Sequence, residues 1–134
     1  MSELLEKHVA TATADVTVPT TTETAVIASG PVQVPSATCL VHIRGWCQLV
    51  TGAAASAVTV RIERGSAAGG TLVGEGNSIT LGAAAGSREV MSIEATERRA
   101  NEESVSYVMT VQQTGATGDG TVSQAAIEVE ILSG

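Results

Sequence analysis

The sequence predicts an all-β protein of antiparallel strands, each with one face in the core and one in water. Three observations predict it. Apolar and polar residues alternate in run after run, best in AVTVRIER, where Val58, Val60 and Ile62 share one parity and Thr59, Arg61 and Glu63 the other. Clusters of Gly, Ser, Asn or Pro separate these runs. Beyond residue 12 no segment carries the i, i+3, i+4 apolar spacing of an amphipathic helix. Alternation, rather than continuous apolar runs, marks antiparallel sheets solvated on one side. About eight short strands at this spacing make a sandwich or a barrel.

Taken in order, the elements are these. Residues 1–13 form an N-terminal arm, in which residues 2–9 read as a short helix: Ser2 is its cap, and Leu4, Leu5 and Val9 form an apolar stripe. Residues 14–134 form the sandwich domain. Strand signals rich in β-branched residues begin at 13–18 and 22–28. Val32–Val34 lies between Pro31 and Pro35, which confines it to an edge or a bend. Cys39–Val50 is long, with Cys39, Val41, Ile43 and Cys47 on one parity and Leu40, His42, Arg44, Trp46 and Gln48 on the other. Ala57–Arg64 follows, then 71–74 with a continuation at 78–81. Residues 88–95 turn Met91, Ile93 and Ala95 inward, and 105–113 turn Val105, Tyr107, Met109 and Val111 inward. Finally, 125–132 buries Ala125, Ile127, Val129 and Ile131 and exposes Ala126, Glu128 and Glu130. The connections TGAAAS, LGAAAG and TGATGDG are small-residue turns, since glycine accepts positive φ and tight reversals.

A chain of 134 residues makes one domain, but its core is short of bulk. Apolar residues are 43% of the chain and mostly Ala and Val; there is one Trp (Trp46), one Tyr (Tyr107) and no Phe. A buried valine contributes at the low end of about 1.5–3 kcal/mol. Such a subunit is expected to gain firmness by associating with copies of itself.

Net charge is −7, and Lys7 is the single lysine beside six arginines. An acidic chain without a basic stripe repels phosphate backbones, so no nucleic-acid partner is expected. No apolar run approaches the roughly 20 residues of a membrane span. The start, MSELLEKHVATATADV, lacks the apolar stretch of a signal peptide, so cytoplasmic synthesis is expected. Cys39 and Cys47 on one continuous strand would sit about 26 Å apart at roughly 3.3 Å per residue. A disulfide needs Cα atoms within about 7 Å, so two buried free thiols are expected.

Catalytic chemistry is hard to assemble from these residues. His8 and His42 are remote in sequence, and His42 lies between Val41 and Ile43 on a strand, as a packed or interface histidine would. No serine sits in a nucleophile elbow. GSAAGG lacks the lysine of a phosphate loop. Asp119 has no second acid for a calcium loop, and metal-ligand spacings such as CxxC are absent. No catalytic, cofactor-binding or metal-ligating residue is therefore assigned. The charged cluster EATERRANEE reads as a solvated loop, or as an intersubunit salt-bridge patch through Arg98 and Arg99. Trp46, opposite the Cys39/Val41/Ile43 parity, is either core packing or an interface anchor.

One stretch carries a resemblance. Arg61 to Gly65 reads R-I-E-R-G, and Gly69 to Gly74 reads G-G-T-L-V-G. A strand ending R-x-x-R-G, then small residues, then GG-T-x-V-G resembles a motif of small β-sandwich structural proteins of tailed bacteriophages. The later YVMTVQQTGAT, from Tyr107, is similar to their penultimate strand and loop. The resemblance spans residues 20–132 and leaves the N-terminal arm outside it. It implies a jelly-roll-like sandwich, often trimeric, on the virion surface, and the members most resembled are capsid decoration (cement) and head-fibre proteins. It implies no cofactor and no catalytic residue. The partners it implies are the chain itself, as a homotrimer, and the major capsid protein. Its contact residues, to a neighbouring subunit or to the capsid, are expected to be Leu4, Leu5, Val9, Trp46, Arg98 and Arg99. The alternative is a tail-fibre or receptor-binding head domain recognising a host-surface ligand.

Overall fold

A computed structural model describes residues 4–19, 21–35, 38–50, 57–76, 79–80, 88–100, 103–114 and 118–133. The small-residue connections at 51–56, 81–87 and 115–117 lie outside the described residues. The described chain is strand throughout its regular structure: β1 (Leu4–Ala12), β2 (Val16–Val18), β3 (Thr24–Ala28), β4 (Val32–Val34), β5 (Cys39–Val50), β6 (Ala57–Arg64), β7 (Thr71–Glu75), β8 (Ile79–Thr80), β9 (Arg88–Arg99), β10 (Glu103–Val105), β11 (Tyr107–Thr114) and β12 (Gly120–Ser133).

Two antiparallel sheets face each other. The first runs β1-β12-β5-β9, with β2 also on β12; the second runs β3-β11-β6-β7, with β8 also on β6. β4 and β10 form a separate two-stranded ribbon. Eight of the strands have five residues or more: β1, β3, β5, β6, β7, β9, β11 and β12. Numbered first to eighth, they pair first with eighth, second with seventh, third with sixth and fourth with fifth. That nesting is one long hairpin rolled up on itself, so the two-layer sandwich is a jelly roll.

The inward parities are those the alternation predicts. Cys39, Val41, Ile43, Cys47 and Leu49 of β5, Met91, Ile93 and Ala95 of β9, and Ala125, Ile127, Val129 and Ile131 of β12 meet Val58, Val60 and Ile62 of β6 and Tyr107, Met109 and Val111 of β11. Both cysteines are buried free thiols, and burial pushes the Cys47 thiol up to about 12. Two strand glycines set the spacing of the layers. A Cβ at Gly45 would lie 2.9 Å from Met109 Sδ of the facing sheet. One at Gly74 would lie 2.7 Å from the Ala95 Cβ, so β7 closes against β9 at that seam.

Two expectations are corrected. The N-terminal stripe is not helical: Leu4–Ala12 is a strand, hydrogen-bonded along β12 from Leu4↔Leu132 to Ala12↔Ala125. An isolated short helix would be marginal in water, whereas the free side of β12 offers a ready backbone partner. The charged stretch from Glu94 to Arg99 is not a solvated loop either. It continues β9 in register with β5 as far as Cys39↔Arg99.

Candidate interaction surfaces

The outer face of the first sheet is ordered in rows by the strand register. They read Leu4–Leu132–Leu40–Arg98, then Lys7–Glu130–His42–Thr96, then Val9–Glu128–Arg44–Glu94, then Thr11–Ala126–Trp46–Ser92. The first row is mainly apolar. The middle rows carry exposed ion pairs, Lys7 Nζ to Glu128 at 3.4 Å and Arg44 Nε to Glu94 at 3.6 Å. Pairs this exposed are worth at most about 1 kcal/mol each. Trp46 stands on this face, 40% exposed, which excludes core packing for it. With Val9, Arg44, Ala126, Ile127 and Glu128 it lines a hollow of about 230 Å³. Val9 is 60% exposed.

A second hollow, about 340 Å³, opens beside the start of β1 and is lined by Leu5, Glu6, Gln33, Pro35 and Ile131. Leu5 reaches it because the register slips between Leu4 and Glu6, a bulge that turns Leu5 out of the outer rows.

Charge is gathered at two further places. At one end of the core, Arg64 Nε donates to Glu97 Oε1 at 2.9 Å, and Arg99 spans Glu97 at 3.4 Å and Glu103 at 2.6 Å. Beneath them the Tyr107 side chain is fully buried, and its hydroxyl has no hydrogen-bond partner among the described residues. Burial, and then the Glu97 charge, raise the Tyr107 pKa. Arg64, Glu97, Arg99 and Glu103 close an internal lock between β6, β9 and β10.

On the outer face of the second sheet, Glu63 is 4% exposed and accepts a hydrogen bond from the Gly69 N–H at 3.0 Å. Burial, then a hydrogen bond to Glu23 and the Glu23 charge, raise the Glu63 pKa. Burial also opposes ionisation of Glu23, but hydrogen bonds from Glu63, Thr110 and Arg61 outweigh it and lower the Glu23 pKa. The two carboxyls are thus pushed in opposite directions, Glu63 toward its protonated form and Glu23 toward its carboxylate. Thr110 Oγ1 gives Glu23 a further bond at 3.0 Å, and Arg61 bridges Glu23 at 3.2 Å and Glu75 at 2.9 Å. Just before Glu23, Thr21 holds φ +71°, and Gln112 Nε2 clamps its carbonyl at 3.0 Å. That backbone is strained for a β-branched residue.

This pair gives folding a pH dependence of defined sign. The contribution of Glu63 is complete below the ordinary carboxylate value of 4.5 and is lost as pH rises through its raised value. That of Glu23 is present above 4.5 and is lost as pH falls through its lowered value. Glu63→Gln keeps a donor toward Glu23 but cannot ionise. Urea melts should therefore show the variant gaining on the wild type as pH rises from 4.5 toward neutrality. Parallel curves would contradict the raised pKa of Glu63.

Of the contact residues predicted from sequence, Val9 and Trp46 come together in one hollow. Leu4 lies at the apolar end of the same face and Leu5 in the other hollow. Arg98 is exposed and in register with Leu40 on that face. Arg99 lies at an inward parity, engaged by Glu97 and Glu103 of its own chain. His42 Nε2 lies 3.4 Å from Glu94. Among the described residues no three of His, Cys, Asp and Glu are grouped so as to hold a metal ion. Of the charged cluster EATERRANEE, Asn101 and Glu102 lie outside the described residues. The Glu23/Glu63 pair was not foreseen: its members are far apart in sequence, and nothing local to either signals the other.

No protein-family model matches the chain, and no curated protein matches it in sequence. Solved structures do match in fold. A chain of the T13 particle of infectious bursal disease virus is 11% identical, with a TM-score of 0.60, covering 92% of this chain and 31% of that one. A chain of the Gx strain of the same virus is 13% identical, with a TM-score of 0.48, covering 95% and 32%. A subunit of the disulfide-linked pili of Bacillus endospore appendages is 17% identical, with a TM-score of 0.40, covering 93% and 90%. The chain spans about a third of the length of the two viral chains. At this identity the likeness to the T13 particle is one of fold.

Proposed function

We propose that the chain is a non-enzymatic structural protein of a virus particle, a decoration protein that seats as a homotrimer on the exterior of a phage capsid and stabilises it. The rolled eight-strand pairing is the observation that carries this reading, because the fold is matched over 92% of the chain in a chain of a virus particle. Three further features support it. The core relies on valine, isoleucine and alanine with one buried aromatic, Tyr107, so association adds apolar burial that the single subunit lacks. Leu4, Val9 and Trp46 leave apolar surface on one face. The titratable clusters that are described lock strands of this chain to one another. The resemblance to phage decoration proteins supplies the capsid as the partner.

Light scattering followed by cosedimentation with mature capsids tests the proposal. Expected is a mass three times the 13.5 kDa of the chain, with copies pelleting on the shell and Trp46→Ala with Val9→Ala weakening that binding. A stable monomer that stays in the supernatant would overturn it. Binding to host cells instead of shells would favour a receptor-binding domain, for which the Trp46 hollow between Arg44 and Glu128 would be the ligand seat.

A further inference from the structure

The long edges of the two sheets are managed differently. β9 is one edge of the first sheet, but β7 packs along it with Gly74 against Ala95 and the Glu94 carbonyl, and Arg88, Glu94 and Arg98 stand out from it. The edges of the second sheet, β3 and β7, are five residues each. β1 is the exception. It offers nine residues with no proline, Lys7 is its one lysine, and among the described residues β12 is its one strand partner. Charges, prolines, short strands and covers are how proteins normally close such an edge. Here the edge carries Val9, the most exposed of its large apolar residues.

We propose that β1 pairs antiparallel with β1 of a second copy, about a two-fold axis through Val9. Two-fold pairing opposes residues symmetrically about its centre, so the chemistry of the strand selects the register. Centred on His8 it sets two imidazole rings, each held by Glu6 of its own strand at 2.6 Å, directly against each other. Centred on Glu6 it opposes two carboxylates, and on Lys7 two ammonium groups. Like charges directly opposite are destabilising. Centred on Ala10 it shortens the overlap to residues 8–12. Centred on Val9 it pairs residues 6–12: Val9 meets Val9, His8 meets Ala10, Lys7 meets Thr11 and Glu6 meets Ala12. No charge faces its like, and each long side chain faces a short one. The paired Val9 residues also join the hollows in which Trp46 stands.

One strand pair is a small contact, below the roughly 1,000 Å² of a stable interface. It gains strength where neighbours are held close, as on a shell. A three-fold axis cannot lay an edge on itself, so the pair would link one trimer to the next; in this clause alone the inference rests on the function proposed above.

Disulfide trapping of the isolated protein tests it. Cβ atoms of directly opposed residues lie about 4.5–5.5 Å apart, close enough for a disulfide after small adjustment. Cys39 and Cys47 are buried, so the background is low. Under mild oxidant, V9C is expected to shift from one chain to two on a non-reducing gel. K7C alone should stay at one chain, and K7C with T11C in the same chain should shift. Folded V9C that fails to crosslink at high concentration, or K7C that crosslinks as readily as V9C, would overturn the pairing. Crosslinking of V9C beside a wild-type protein that does not bind capsids would sink the decoration reading and leave the pair standing. Capsid binding without crosslinking would do the reverse.

Discussion

Truncating Tyr107 to alanine is expected to lower the unfolding free energy by about 3–5 kcal/mol, the range for removing a large aromatic from a core. The loss should be at the upper end, for two reasons. Tyr107 is fully buried and is the largest fully buried side chain described. The core it belongs to is built mainly of valine, isoleucine, alanine and cysteine, so little can move in to fill the space. Tyr107→Phe separates the ring from its hydroxyl. That hydroxyl is buried with no hydrogen-bond partner among the described residues, so removing it should leave stability equal to or above that of the wild type. Urea melts of the two variants check both statements. A phenylalanine variant that loses as much as the alanine one would mean the hydroxyl is bonded within the Arg64–Glu97–Arg99 lock.

Much of the fold was legible in residue alternation, and the failures have physical causes. The bounds of β4, β5 and β6 follow directly from parity and from flanking Pro or Gly. Which strand pairs with which was not legible from periodicity. First-with-eighth nesting depends on contacts across the whole chain, and the resemblance, not the alternation, supplied the jelly roll. Leu4, Leu5 and Val9 fit a helical stripe as well as a bulged strand, and β12 decided between them. Apolar alternation stops at Ala95, so parity alone ends β9 there. Beyond it the inward positions are Glu97 and Arg99, neutralised by Arg64 and Glu103 from other strands. A charge at a core parity reads as a loop when its partner is distant in sequence. Trp46 is the reverse case: its bulk suits core packing as well as an interface anchor, and the side chain stands outside at 40% exposure, on the parity opposite Ile43.

The seam between β7 and β9 gives the second large effect. Gly74→Ala is expected to cost about 1–3 kcal/mol, the usual range for overpacking. Its Cβ would sit 2.7 Å from the Ala95 Cβ, 3.6 Å from the Ala95 Cα and 3.7 Å from the Glu94 carbonyl oxygen. These atoms are backbone or fixed directly to it, so no rotamer change relieves the contact; one strand must shift. Gly45→Ala is the control. Its closest contact, 2.9 Å, is to Met109 Sδ near the end of a flexible side chain, and the next is 3.4 Å to the Ile62 Cδ1. Methionine adapts to such intrusions, so the Gly45 variant should lose less. Removing the opposing atom makes the argument quantitative. Ala95→Gly alone should destabilise, through lost burial and a freer backbone. Combined with Gly74→Ala it should cost less than the two single losses added together, because the methyl returns on the other side of the same seam. A double-mutant cycle in urea reads this as a coupling of the stabilising sign. Strict additivity would mean that β7 and β9 are not in contact at Gly74, and that β9 is a second open edge of the first sheet.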